Sequence, residues 1–167
     1  MDHQASGQDI QGGLWLTPAG YKQLHAELEH LTVDKRPEIA FRIRESLQHG
    51  EFSEDNNELD EVKFEQAMVE SRIAELKALF GSAQVLDPEN IPTDYVGLGS
   101  KVLLEDLQYM DQFEVRVVAG IEADPNEDLI SQESPMGAAI FGHSSGDAVE
   151  FMAPEGKKRY RIISISK

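Results

Sequence analysis

The sequence contains no cysteine among its 167 residues. Disulfide bonds, cysteine zinc sites and thiol nucleophiles are therefore excluded. Basic residues are scarce as well, because 31 acidic side chains stand against 15 basic ones and give a formal net charge of −16 with histidine neutral. A chain this acidic does not bind duplex nucleic acid by neutralising phosphates, and it does not adhere to an anionic membrane. Basic surfaces and metal ions are the partners that this charge favours.

Long apolar runs are also missing, and none approaches the roughly 18 residues that a membrane-spanning helix needs. Hydrophobic residues nevertheless make up 40% of the chain, which is enough to bury a core. Residues 1–13 are rich in Gly, Gln and Asp, and we expect a disordered tail there. With no membrane segment and no cysteine, the sequence favours a cytoplasmic protein.

In the first half of the sequence the apolar residues recur with the spacing of two long helices. Thr17 and Pro18 form a helix start, and Pro37 is predicted to bend or re-phase the first helix. Two amphipathic stripes joined by a polar turn predict an antiparallel coiled-coil hairpin over 14–82. The first stripe contains Tyr21, Leu24, Leu28, Leu31, Ile39, Ile43 and Leu47, and the second contains Leu59, Val62, Gln66, Val69, Ile73, Leu76 and Phe80.

In the second half of the sequence the apolar residues recur at every second position. Three turn signals mark 83–98 as a linker, and alternating apolar residues over 102–117 then predict a strand pair. A short strand at 129–131, a brief helix capped by Ser134 and a last hairpin across 154–156 follow. The sequence therefore predicts the α+β class, with a helical hairpin followed by a small domain over 99–167 that contains an antiparallel sheet.

The polar turn of the hairpin is strongly acidic. Residues 51–61 contain six acids and no base. Glu51, Glu54 and Asp55 are spaced three and four apart, so a helical turn would place them on one face. One interpretation is a solubilising turn whose acids favour the start of the second helix. The other is a carboxylate cluster that is delivered to Mg²⁺, which prefers oxygen ligands.

Other charged residues carry weaker signals. The five histidines are scattered and form no pair or triad with metal-ligand or catalytic spacing. We expect Lys157, Lys158 and Arg159 to form a solvated turn. Arg36 and Arg42 are expected on the solvated face of the first helix.

Several short segments carry a resemblance by their order and spacing. They are LTPAGYKQLHAELEHL at 16–31, RPEI at 36–39, GEFSEDNNELDEVKFEQ at 50–66, ESRI at 70–73, AQVLD at 83–87 and ISQESPMG at 130–137. Together they resemble the Gre transcript-cleavage factors of bacterial RNA polymerase over residues 14 to 167.

The resemblance implies an N-terminal antiparallel coiled coil and a C-terminal domain similar to the FK506-binding proteins. It also implies a mechanism. The second domain docks at the rim of the secondary channel of bacterial RNA polymerase, and the hairpin tip reaches the active centre. Two tip acids there help to hold a second Mg²⁺, and the polymerase hydrolyses its own backtracked transcript. The factor is then a monomer and no enzyme itself, and it meets the nascent RNA 3′ end only indirectly.

The resemblance also implies roles for individual residues. Glu51 matches the first tip acid of the family, while Glu54 and Asp55 both remain open for the second. We expect the partner contact at 134–137, where an exposed turn would carry a soft apolar side chain. These four residues are Ser134, Pro135, Met136 and Gly137.

Two alternatives remain. The tip has one residue more than the family pattern, glutamate for the usual first aspartate, and Leu59 where the family has tyrosine. Some Gre homologues with acid-rich, altered tips occupy the same channel and inhibit the polymerase, so the resemblance also allows an inhibitor that does not promote cleavage. A prolyl isomerase based on the second domain is a third possibility, but that domain has no tryptophan and few aromatic residues to line a proline pocket.

Overall fold

The protein is described here by a computed structural model, which covers residues 13–49 and 57–167. These residues form two compact units. The hairpin unit is Tyr21–Ser82, and the sheet unit combines 13–20 with 83–167. No helix in the described parts of the chain is both long and apolar enough to cross a membrane.

The hairpin unit has the predicted helical arms. The first arm contains helix α1 (Pro18–His30), a π-helical turn (Leu31–Lys35) and helix α2 (Arg36–His49). The second arm is helix α3 (Asn57–Ser82). The α2 and α3 helices pack against each other, as the two amphipathic stripes predict.

The π-helical turn is the response of the first arm to Pro37. Proline has no backbone N–H and its ring crowds the preceding turn, so a regular α-helical ladder cannot continue through it. Here the backbone N–H of Arg36 donates to the carbonyl of Leu31, five residues earlier. The predicted change of helical phase is therefore confirmed, and it takes the form of one wider turn.

The buried seam of the hairpin follows the predicted stripes, except that Leu79 is buried where the half-buried Phe80 was predicted. There are two further differences. Leu47 is 47% exposed, and Ser46 beside it is buried. Gln66 is exposed, and its neighbour Glu65 is half-buried. Both differences are one-residue shifts in the face that meets the opposite arm. The buried apolar residues of this unit are Leu24, Ile39, Val62, Ile73, Leu76 and Leu79.

The sheet unit contains seven strands and one short α-helix. Two short strands, β1 (Trp15–Leu16) and β2 (Gln84–Val85), pair in parallel. The main sheet has the order β5-β4-β3-β7-β6. Its members are β3 (Lys101–Asp106), β4 (Gln112–Val118), β5 (Leu129–Ser131), β6 (Ala148–Ala153) and β7 (Gly156–Ser166), with helix α4 (Pro135–Ile140) between β5 and β6.

The α+β class is confirmed, and the sheet is almost the antiparallel one that the sequence predicts. The exception is β5, which pairs in parallel with β4. The pair β1 and β2 was not predicted either, because two residues are too few to show a period. The residues before β3 are well packed, since Val96 and Leu98 are buried and Ser100 donates to the carbonyl of Pro92.

Residues 17–20, which contain the start of α1, belong to the sheet unit and bond to a buried carboxylate of the same unit. Glu122 accepts hydrogen bonds from the backbone N–H and the hydroxyl of Thr17, at 2.8 Å and 2.5 Å. The Thr17 hydroxyl oxygen in turn accepts from the N–H of Gly20 at 3.0 Å. This confirms the predicted helix start and adds a partner that the sequence did not indicate.

Candidate functional site

The candidate tip acids lie between the two arms of the hairpin. Glu51, Glu54 and Asp55 fall in 50–56, outside the described residues. The structure fixes the ends of the arms on either side, at His49 and Asn57. Elsewhere, in 13–49 and 57–167, no cluster of three or more histidine, aspartate or glutamate side chains has a metal-binding arrangement. The three tip carboxylates are hard oxygen donors, so their chemistry fits Mg²⁺.

Arginine–glutamate pairs join the two arms below the tip. Arg36 donates two hydrogen bonds to Glu70, both at 2.8 Å. Arg42 donates to Glu65 at 2.7 Å. Both arginines remain more than 40% exposed, as expected for a solvated face. The signal missed in the sequence is the acid at the facing position of the antiparallel partner.

A third pair lies nearer the base of the hairpin. Arg72 donates to both carboxylate oxygens of Glu27, at 2.7 Å and 3.1 Å, and to Glu75 at 3.0 Å. The paired orientation of a guanidinium and a carboxylate has strict geometry. Because α3 contributes a member to each of the three pairs, they fix the register of the arms more than they add stability, which is small for exposed pairs.

The same pairs shift the pKa values of their members towards the charged forms. The hydrogen bond from Arg36 lowers the pKa of Glu70, with desolvation opposing it. The hydrogen bond to Glu27 is the largest cause that raises the pKa of Arg72 above its usual value. These hydrogen bonds therefore favour the charged forms of Glu70 and Arg72.

Large apolar side chains are exposed on the surface of the hairpin. Phe64 is 70% exposed and Met68 is 59% exposed, and they lie one helical turn apart on α3. Phe41 on α2 is 56% exposed. Contiguous exposed apolar side chains are typical of surfaces that contact a partner, and Phe64 and Met68 are such neighbours on one helix.

The expected docking segment is the start of α4. The Ser134 hydroxyl accepts from the N–H of Gly137 at 3.1 Å and donates to the carbonyl of Ser131 at 2.6 Å. Pro135 occupies the first helical position and is exposed. Met136 is half-buried against the core of the sheet unit, so the expectation that it is the exposed apolar residue is wrong.

Gly137 is buried, and its position has no room for a side chain. A Cβ atom at this position would lie 1.9 Å from the carbonyl oxygen of Ser131. The segment is thus a capped helix start whose outward surface is Pro135. Phe141 follows the helix and is 39% exposed.

Comparison with known proteins gives two family matches in sequence order. Residues 14–85 match the model described as transcription elongation factor, N-terminal. Residues 91–167 match the model described as transcription elongation factor, GreA/GreB, C-term. Between them the two models account for nearly all the residues described above.

Individual relatives agree with these matches. Transcription elongation factor GreA of Clostridium acetobutylicum is 42% identical over 150 residues, which are 90% of this chain and 94% of the relative. Its counterpart in Alkaliphilus oremlandii is 44% identical over 152 residues, or 91% and 95% of the two chains. Among solved structures, GreA factor homolog 1 of Thermus thermophilus is 32% identical, with coverage of 93% and 99% and a TM-score of 0.43.

Proposed function

The chain belongs to the GreA/GreB family of transcription elongation factors, and on this premise we propose that it acts on bacterial RNA polymerase through the secondary channel. The hairpin enters the channel, and its tip promotes hydrolysis of backtracked transcripts by the polymerase. The observation that carries this proposal is the run of six acids over 51–61, which covers the sequence between the two arms of an antiparallel hairpin and the first residues of α3. The exposed Phe41, Phe64 and Met68 suit a hairpin that is surrounded by a partner.

The tip contributes carboxylates and nothing else to the chemistry. Glu51 and either Glu54 or Asp55 would hold Mg²⁺ together with acids of the polymerase. In phosphodiester hydrolysis a second metal ion activates the attacking water. Because the reaction then needs ligands from the polymerase, the chain alone is not a nuclease.

A cleavage assay on stalled, backtracked polymerase tests the proposal. The triple variant Glu51→Ala, Glu54→Ala, Asp55→Ala should lose stimulation by roughly 100-fold or more, the usual size for a group that acts on the chemical step. The single variants at Glu54 and Asp55 separate the two candidates for the second acid. Labelled RNA that shortens from the 3′ end is the readout.

The matched control removes three acids from the start of α3 instead. Glu58→Ala, Asp60→Ala, Glu61→Ala changes the net charge by the same amount. It should keep most of the stimulation, because only the tip carboxylates reach the reaction. Equal loss in both triple variants would mean that bulk negative charge matters and would contradict the metal role.

Inhibition is the second candidate function, favoured by the altered tip. The extra residue and Leu59, which is half-buried in α3, depart from the family pattern. In the same assay an inhibitor would leave the transcript at full length and would slow nucleotide addition. The triple tip variant would then still bind the polymerase, but it would change the rate of nucleotide addition to a different extent than the parent does.

Docking is tested at Pro135. A glutamate at the first position of a helix is compatible with its dipole, so Pro135→Glu should fold. It should weaken polymerase binding by about tenfold by placing a charge on the docking surface. Pro125→Glu is the matched control, since Pro125 is also an exposed proline at the start of a short helix. Equal affinities of the two variants would place the docking surface elsewhere.

A further inference from the structure

The two arms of the hairpin are joined to the strand pair β1 and β2 by one residue each. Strand β1 ends at Leu16 and α1 begins at Pro18, so only Thr17 lies between them. Only Ala83 separates the end of α3 from the start of β2. The chain therefore has almost no slack where it enters and leaves the hairpin.

The strand pair holds these two connections together. The N–H of Gln84 donates to the carbonyl of Leu14, and the N–H of Leu86 donates to the carbonyl of Leu16, both at 2.8 Å. Leu16 and Leu86 are buried. The base of the hairpin is thus anchored in the sheet unit through both strands.

The two connections differ in how they are held. Pro18 fixes its own φ angle and restricts the backbone of Thr17 before it. Glu122 accepts hydrogen bonds from both the N–H and the hydroxyl of Thr17. Ala83 has only a methyl side chain and cannot be held in this way. The entry to the first arm is therefore the connection that side chains fix.

Glu122 does more than cap the helix. The ordinary cap is already present, since the Thr17 hydroxyl oxygen accepts from the N–H of Gly20. The carboxylate bonds instead to the capping residue itself, whose N–H precedes the helix. Glu122 ends a short 3-10 turn (Gly120–Glu122) that follows β4, and it is only 9% exposed. It therefore ties the start of α1 to a strand of the core.

The length of the first arm makes this joint important. From Pro18 to His49 the arm extends roughly 45 Å, at about 1.5 Å per residue. A tilt of about 5° at its start therefore moves its far end by about 4 Å. Chemistry tolerates little of this, because a misplacement of about 1 Å can cost about 100-fold in rate.

We propose that Glu122 is a positioning residue for transcript cleavage. By holding Thr17 it keeps the entry of the first arm rigid, so that the hairpin presents its tip within a narrow range of positions. Glu122 acts through the backbone of the arm and takes no part in metal binding. The proposal rests on the proposed function and adds to it a residue of the sheet unit.

Spin labels test the joint without polymerase. Because the chain has no cysteine, Ala74→Cys and Ser164→Cys provide one label on the hairpin and one on the sheet unit, both at exposed positions. Double electron–electron resonance measures the distribution of distances between the labels. Glu122→Ala should broaden this distribution by about twofold or more, because Thr17 loses the bonds that hold it.

The cleavage assay on backtracked polymerase, with unlabelled chains, tests the consequence. Glu122→Ala should lower the cleavage rate at saturating factor by about tenfold, since the tip is misplaced more often. The concentration that gives half of the maximal rate should stay within about threefold of the parent, because the docking surface is unchanged. This split separates positioning from docking.

Two controls separate positioning from stability. Val115→Ala removes buried atoms from the core of the same unit, and at a temperature where circular dichroism shows both variants folded it should keep the parent rate and distribution. Thr17→Ser retains the hydroxyl and should match the parent. Thr17→Val keeps the shape but not the hydroxyl, and it should show part of the loss seen with Glu122→Ala.

An unchanged distance distribution in Glu122→Ala would overturn the proposal. Equal losses of cleavage in Glu122→Ala and Val115→Ala would overturn it as well, because stability alone would then explain the effect. A parent chain that does not stimulate cleavage would instead contradict the proposed function. The distance distributions would still decide whether Glu122 holds the joint, so the two failures are distinguishable.

Discussion

Glu122 is a buried carboxylate with no basic partner among the described hydrogen bonds and ion pairs. Its oxygens instead accept from the backbone and the hydroxyl of Thr17. Buried carboxylates are tolerated when hydrogen bonds replace their hydration. The first N–H groups of a helix have no acceptor within the helix. The carboxylate supplies an acceptor at the start of α1.

Gly20 is required by this arrangement. A Cβ atom at this position would lie 1.8 Å from Oε1 of Glu122. Gly20→Ala should lower the free energy of unfolding by about 1–3 kcal/mol, as overpacking does. The fluorescence of Trp15, the only tryptophan, in urea titrations measures it.

Two comparisons make that prediction specific. Gly120→Ala should be nearly neutral, because the nearest atom to its Cβ is the Ser131 hydroxyl oxygen at an ordinary 3.6 Å. In a Glu122→Ala background, Gly20→Ala should cost much less, since the clash is gone. Equal costs in both backgrounds would show that the carboxylate is not what excludes a side chain.

Glu70 should titrate below the ordinary glutamate range. Arg36 stabilises its charged form, which lowers the pKa of Glu70. A lowered folded-state pKa adds stability that is present above the unfolded pKa and is lost as the pH falls through the folded value. Carboxyl-carbon NMR titration measures the pKa directly, and Arg36→Gln should raise it. Arg44→Gln, on the same helix, should leave it unchanged, and a shift with both variants would indicate a general charge effect.

Helix α4 depends on one side chain at its start. The Ser134 hydroxyl both caps the helix and bonds to the carbonyl of Ser131. Ser134→Ala should cost about 1 kcal/mol, the usual value of a lost cap. Thermal unfolding measures this, and Ser134→Thr should retain most of the stability.

The stability cost of Gly137→Ala can be compared with that of Ser134→Ala in the same helix. Its Cβ would meet the backbone of Ser131 rather than a flexible side chain. The cost should therefore exceed that of Ser134→Ala. The reverse order would mean that the start of α4 moves freely to accept a side chain.

The elements also show what the sequence can predict. Helical periods, Thr17, Ser134 and the turn at 154–156 are local signals, and the elements that they indicate are present. The parallel pairing of β1 with β2 and of β5 with β4 depends on residues distant in sequence, so no local pattern indicates it. The exposure of Gln66 and the partial burial of Met136 depend likewise on which face the partner element covers.

The candidate site was predictable in part for the same reason. A run of acids at a turn is visible in the sequence, and so is the Ser-Pro start of α4. The arginine–glutamate pairs between the arms and the hydrogen bonds of Glu122 were not, because they join residues from 23 to 105 positions apart. The roles of Glu51, Glu54 and Asp55 remain predictions.

At the scale of the whole molecule, the isolated chain should bind Mg²⁺ only weakly. Exposed carboxylates gain little from a charge in a high dielectric, and Mg²⁺ gives up its water reluctantly. The clusters needed for a dedicated site are also missing from 13–49 and 57–167. Calorimetry should show no tight stoichiometric site, and the triple tip variant should give the same heats. RNA hydrolysis by the chain alone would contradict a shared ion.

The π-helical turn at Leu31–Lys35 also has a consequence for protein engineering. It lets the helix on either side keep its own phase, so the distal segment need not continue the periodicity of the proximal one. A crossover between relatives placed at this turn should then yield chimaeras in which both seams stay in register. With a second crossover at the facing position of α3, the far end of the hairpin can be exchanged as one segment, and the tips of different relatives can be compared on one scaffold.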